Sequence, residues 1–225
     1  MFNRLLSYLM PINVYRKNSV ISKSIEVNWN NGELVLDSKN TNYSYGSLQR
    51  ILRIGLKKIG FDNIRAMESI LVLGVGGGSV IKTLVHEIKF KGKIIGIEID
   101  PEVHQIAKTY FDLDKISNLT VIIDNAFEFV LKTKEHYDLI IVDIFEDTHM
   151  PNFLYEDFFM HRMGELLTNN GSILFNTMLL NEKENQRNVK YLREFNVSPY
   201  QVCTVPRVEE HNELIIITKA ATASS

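Results

Sequence analysis

A glycine run, Gly74-Val75-Gly76-Gly77-Gly78, follows directly on an apolar run from Ser69 to Leu73. Glycine lets the backbone turn sharply and lets a ligand approach with no Cβ in the way. If a helix opens after the run, its first N–H groups and positive dipole end suit a carboxylate or phosphate. A glycine run also serves as a plain strand–helix turn, so its neighbours decide. Glu98 lies twenty-four residues past Gly74, near the end of a second apolar run, in Gly96-Ile97-Glu98-Ile99-Asp100-Pro101. A carboxylate there in a doubly wound unit accepts hydrogen bonds from both hydroxyls of a ribose; the alternative is a strand-end acid in solvent. Asp100, just before Pro101, has the type and place of a helix N-cap. Asp124-Asn125-Ala126 ends a third run, where Asn125 either offers a donor and an acceptor to an adenine edge or caps the next helix. Asp143 ends a fourth run, Tyr137 to Asp143, with Glu146 and Asp147 close behind. An acid at that tip is placed to orient or deprotonate a nucleophile. Glu146 and Asp147 either hold a cation beside it or are solvated loop acids.

Other chemistries lack their residues. The six histidines show no ligand spacing with acids or cysteine, so no metal site is expected. No nucleophile elbow and no Walker-type lysine is present. The net charge is −2 and no long basic run occurs, so a nucleic-acid partner is not expected. Cys203 is the single cysteine; it permits no intrachain disulfide, needs no oxidising compartment and reads as core packing. The first seventeen residues are mildly apolar but interrupted by Arg4 and Pro11, unlike a signal peptide or a membrane span. A cytoplasmic protein is expected, with the N-terminal arm packed on the body or on a second subunit of a homodimer.

Strands and helices must alternate to bring these acids and glycines to one place. Ser24 to Trp29 and Glu33 to Asp37 alternate around Asn30-Asn31-Gly32, a strong hairpin signal. Residues 45–60 carry a broad apolar helical face that ends at Gly60. From residue 69 the spacing predicts strands at 69–73, 93–99, 119–123, 137–143 and 171–177. It predicts helices at 80–88, 101–111, 126–134, 154–167 and 181–195, and two final strands at 200–205 and 213–218. Such alternation implies a parallel α/β sheet with right-handed crossovers and a ligand site at the carboxyl ends of its strands. The expected division is an arm and hairpin over 1–45, the main domain over 46–219, and a fraying tail over 220–225.

Taken together, ILVLGVGGG, IIGIEIDPEV, IIDNAFEFV and YDLIIVDIFED resemble the spermidine synthase family of the S-adenosylmethionine-dependent methyltransferase superfamily. The resemblance runs from about residue 35 to residue 180. It implies a Rossmann-like methyltransferase fold, with a seven-stranded, mostly parallel sheet, helices on both faces and a small N-terminal β-hairpin. It implies S-adenosylmethionine, or its decarboxylated form, held by Gly74, Gly76, Gly78, Glu98, Ile99, Asn125 and Ala126. It implies Asp143 as the catalytic residue, and Tyr45 and Glu146 as contacts to a small-molecule substrate. The chain departs from the family's pattern at Gly77 and Glu146, where the family has aspartates, and at Tyr45-Gly46-Ser47, where it has Tyr-His-Glu. These departures turn the expectation toward methyl transfer to a small acceptor. Aminopropyl transfer from decarboxylated S-adenosylmethionine to a diamine is the alternative, followed by a non-catalytic nucleoside-binding relative. A nicotinamide dehydrogenase would need a third glycine where Ser79 stands.

Overall fold

Asn31 and Gly32 have φ values of 47° and 80°, the left-handed pair that a two-residue type I′ turn requires. They join β2 (Lys23–Asn30) to β3 (Glu33–Ser38), so the expected hairpin is present. It is widened on both sides, by β1 (Ile12–Ser19) and β4 (Asn42–Ser44), into a four-stranded antiparallel sheet. In β1 only Ile12, Tyr15 and Ser19 are even partly covered. A backbone ladder running from Ile12 opposite Trp29 to Ser19 opposite Lys23 sets its place, and apolar alternation does not reveal such a ladder. The computed structural model describes residues 2–38, 42–145 and 149–221.

The arm begins with α1 (Phe2–Leu6) and seats on the hairpin turn. Arg4 Nε donates to the Gly32 carbonyl at 3.0 Å, and the Gly32 N–H donates to Ser7 Oγ at 2.9 Å. α2 (Gly46–Ile59) and α3 (Phe61–Arg65) follow, the second of them unforeseen in the sequence. The main sheet then runs through β5 (Ser69–Leu73), β6 (Lys93–Glu98), β7 (Leu119–Ile123), β8 (Tyr137–Val142), β9 (Leu167–Met178), β10 (Tyr200–Val208) and β11 (Asn212–Lys219). Its order is β10-β11-β9-β8-β5-β6-β7. Strands β5 to β9 are parallel, while β11 and β10 are antiparallel additions at one edge. This is the seven-stranded, mostly parallel sheet of a methyltransferase fold.

Helical segments join these strands. α4 (Ser79–Lys82) continues as a π-helical stretch over Thr83–Ile88 and leads from β5 to β6. α5 (Pro101–Phe111) and α6 (Ala126–Lys132) follow β6 and β7. The helix expected at 154–167 starts later, because Asn152–Tyr155 forms a tighter 3₁₀ turn before α7 (Asp157–Glu165). α8 (Glu182–Phe195) lies between β9 and β10. Phe159 and Met163 of α7 and Tyr191 and Phe195 of α8 pack on Ile140, Val142, Ile173 and Phe175 on one face. Ile51, Leu52 and Leu56 of α2 pack on Ile141 and Leu174 on the other. Each fully buried side chain of this kind contributes about 1.5–3 kcal/mol through removal from water. Cys203 is exposed rather than packed in the core, because it lies on the edge strand β10. Among the described residues no helix is long and apolar enough to cross a membrane.

Order β8-β5-β6 means that the chain leaves β5 to one side and returns on the other. The carboxyl ends of β5 and β8 therefore flank the topological switch point, where α/β sheets bind their ligands. Ile25, Val27 and Leu36 of the N-terminal sheet pack on Val103, Ile106 and Phe111 of α5. That contact sets the small sheet beside the carboxyl end of β6. The glycine run is pinned to the main sheet by Val75, only 3% exposed, which sits over Gly96 of β6. A Cβ on Gly96 would lie 2.7 Å from Val75 Cγ2. We expect Gly96→Ala to lower stability by about 1–3 kcal/mol through overpacking, read as a lower denaturant midpoint. An unchanged midpoint would show slack in the seat of the glycine run.

Candidate functional site

Gly74 leaves β5 with φ 89°, and its N–H donates to the Ile97 carbonyl at 3.0 Å. A Cβ on Gly74 would collide with the Asp143 carbonyl oxygen, so the ends of β5 and β8 approach closely only because Gly74 is glycine. The Asp143 N–H in turn donates to the Leu73 carbonyl at 2.9 Å. Gly76, at φ 52°, aims its N–H at Glu98 Oε2, 3.0 Å away. Gly78, at φ 80°, is the N-cap of α4, and a Cβ there would strike Leu113. Its left-handed φ favours glycine there, at the back of the run.

Glu98, at the end of β6, is 7% exposed. Besides the Gly76 bond, its Oε1 accepts the Asp100 N–H at 3.0 Å. Burial raises its pKa, opposed by the backbone hydrogen bonds from Asp100 and Gly76. A carboxylate has about four acceptor positions, so two backbone bonds leave capacity for the hydroxyls of a diol. The neighbouring Ile99 is half exposed, at 49%. Asp100 caps α5 as expected, with its carboxylate accepting the Glu102 N–H at 2.9 Å. At the end of β7, Asn125 caps α6 through Oδ1, which accepts the Phe127 N–H at 2.9 Å. The cap uses the oxygen, so the two readings of Asn125 are compatible: its NH₂ group is left for a ligand.

These elements enclose a cleft of about 540 Å³. Gly74, Gly76, Glu98, Ile99, Asn125, Ala126 and Asp143 all line it. Gly78 and Tyr45 do not. Tyr45 is buried behind the glycine run, stacked on Phe111 at 4.7 Å, with its hydroxyl donating to the Gly77 carbonyl at 3.1 Å. Burial pushes its hydroxyl pKa up. Ser44 completes this backing by accepting the Ser79 N–H at 3.2 Å. A Cβ on Gly77 would lie 2.9 Å from Ser44 Cβ and 3.1 Å from Tyr45 Cε2. Glu146 lies outside the described residues, as does Asp147. The cleft also contains residues that strand and helix periodicity did not place: Ile21, Ser22 and Lys23 of the β1–β2 turn, Leu48 of α2, and Phe145, His149, Pro151 and Phe153 after β8. Asp100 was the available clue to the first group, since an N-cap acid has a second oxygen to offer. Among the described residues no group of three His, Cys, Asp or Glu is placed to hold a metal.

Asp143 stands at the head of a row of polar side chains across three strands. Asn176 of β9 donates from Nδ2 to Asp143 Oδ1 at 2.9 Å, and Asn212 of β11 donates from Nδ2 to Asn176 Oδ1 at 2.9 Å. The second bond fixes which end of the Asn176 amide faces Asp143. Desolvation in this partly buried position raises the Asp143 pKa from 3.8 to about 6, against the lowering effect of Asn176. A carboxyl with a raised folded-state pKa binds its proton more tightly when folded, so stability falls as pH rises from about 4 to about 6. We expect Asp143→Asn to be more stable than the parent at pH 8, by about 1–3 kcal/mol. That advantage should vanish by pH 4 in denaturant melts at both pH values. An advantage equal at the two would contradict a partly buried, ionised Asp143.

Residues 55–224 match the model of the spermine/spermidine synthase domain. A polyamine aminopropyltransferase of Vibrio vulnificus is 30% identical over 131 residues, 57% of this chain and 44% of that enzyme. An eEF1A lysine and N-terminal methyltransferase homolog of Drosophila pseudoobscura is 27% identical over 158 residues, 66% of this chain and 23% of that protein. The chain thus spans less than half the length of either relative. The spermidine synthase of Thermotoga maritima superposes with a TM-score of 0.71 at 20% identity, over 94% of this chain and 74% of its own. Human methyltransferase-like protein 13, solved with SAH, gives 0.63 at 21% identity, over 80% and 85%. With the domain model covering most of its length, the chain belongs to the spermine/spermidine synthase family.

Proposed function

We propose that this chain binds S-adenosylmethionine in the cleft and transfers its methyl group to a small acceptor beside Asp143. The residues fit the nucleoside. Glu98 offers its remaining acceptor positions to the ribose hydroxyls. Asn125 offers its NH₂ group to an adenine edge, with Ile99 and Ala126 as apolar neighbours. Gly74 and Gly76 leave room for close approach to the backbone. When bound, S-adenosylmethionine supplies a methyl group on a positively charged sulfur.

The chain's own work is positioning and proton handling. An in-line displacement needs the acceptor aligned and close, which is the largest contribution a binding cleft makes to it. Asn176 holds Asp143 Oδ1, leaving Oδ2 for the acceptor's proton. With a pKa of about 6, Asp143 is ionised at neutral pH and close enough to it to act as a base. Leu48, Phe145 and Phe153 line the same cleft and keep water from the nucleophile.

The observation that carries methyl over aminopropyl transfer is the closure of the glycine run at Gly77. Ser44 and Tyr45 occupy the space that a side chain there would need, so no acid stands at that point of the donor site. Aminopropyl transfer is the second reading, favoured by the acid at the tip of β8 and by the name of the Vibrio relative. The exposed single thiol of Cys203 suits a reducing compartment, in line with a cytoplasmic enzyme. Calorimetric titration with S-adenosylmethionine and with its decarboxylated form separates the two readings. We expect the intact form to bind at least roughly tenfold tighter, and Glu98→Ala to weaken it roughly a hundredfold through lost charge-assisted hydrogen bonds. Tighter binding of the decarboxylated form would establish the aminopropyl reading in its place.

A further inference from the structure

The turn between β1 and β2 is part of the cleft, and one buried acid ties it there. Ser19 Oγ donates to Asp100 Oδ2 at 2.5 Å, and Ser22 Oγ donates to the same oxygen at 2.6 Å. Ser19 Oγ also accepts the N–H groups of Ile21 at 3.1 Å and Ser22 at 3.3 Å, which fixes the shape of the turn. Beside it, Lys17 pairs with Glu102 at 2.5 Å. Asp100 is 1% exposed. Its other oxygen caps α5 and its own N–H bonds Glu98 Oε1. One residue therefore touches both the carboxylate proposed to seat the ribose and the turn that walls the cleft. The turn itself carries little packing: Val20 is fully exposed and Ile21, which lines the cleft, is 48% exposed. The hydrogen bonds to Asp100 and the Lys17–Glu102 pair help to hold it over the opening.

We propose that residues 19–23 form a lid over the nucleoside, with Ser19 and Ser22 acting through Asp100 as positioning residues that keep it closed. A bound nucleoside covers Ile21 and so adds apolar contact to the closed form, while the Ser–Asp100 bonds must part for the ligand to leave. Ligands bind and leave many enzymes through such small segments of low local stability. The inference rests on the proposed nucleoside site, and the test separates the two. S-adenosylhomocysteine, which has no methyl group to transfer, is the probe. Its dissociation rate is measured by stopped flow, and hydrogen exchange of the 19–23 amides is followed with and without it.

In the wild type we expect the probe to slow exchange in the turn. In the double variant Ser19→Ala/Ser22→Ala we expect roughly tenfold faster dissociation, from the loss of two bonds to a carboxylate, measured well below a thermal midpoint that the same loss lowers. Ser22→Ala alone, the milder change, should fall between, and Ser22→Thr, which keeps the hydroxyl, should stay near wild type. Turn amides that exchange equally with and without bound probe, or equal dissociation rates in all variants, would overturn the lid while leaving the nucleoside site intact. A wild type that does not bind the probe would overturn both.

Discussion

The site depends on one buried carboxylate. Glu98 is almost without solvent, and its two oxygens accept N–H groups from two different loops, Gly76 after β5 and Asp100 after β6. An unpaired carboxylate in that position would cost several kcal/mol; backbone donors offset part of it and set the distance between the two loops. The glycine run can take its path only because Gly74 and Gly76 adopt positive φ and because Val75 drops onto Gly96. Asp100 then carries the same connection outward to the N-terminal sheet. The end of β6, the start of α5 and the wall of the cleft share a single set of hydrogen bonds.

The second constraint is the approach of β5 to β8. It places Asp143 at the switch point, over a close contact that no residue but glycine permits at position 74. Asp143 is held by an amide row that ends at Asn212, on a strand antiparallel to the rest of the parallel core. The last hairpin, β10–β11, therefore does more than cover an edge. It supplies the residue that orients the residue that orients the acid. Partial burial raises the pKa of that acid, a perturbation that occurs in functional sites and in structural networks alike.

Much of this was legible in the sequence because the cause was local. β5, α5 and β7 lie where apolar runs and an Asp-Pro start put them. Asn31-Gly32 marked its hairpin by backbone requirement alone. Other features arise from contacts distant in sequence. β1 owes its place to pairing with β2, and its own residues are mostly exposed. Tyr45 resembled a substrate contact by position, yet the structure sets it behind Gly77, stacked on Phe111. Gly78 looked like part of the cradle, but its neighbour is Leu113. The β1–β2 turn reaches the cleft from about eighty residues before Asp100, through bonds made by two serines of ordinary sequence context. No periodicity announces such a contact.

The most direct test of the account is a crystal structure of the chain soaked with S-adenosylhomocysteine. We expect both ribose hydroxyls on the Glu98 carboxylate, the adenine edge at Asn125 beside Ile99, and the sulfur turned toward Asp143. A nucleoside bound elsewhere, or one that makes no contact with Glu98, would contradict it.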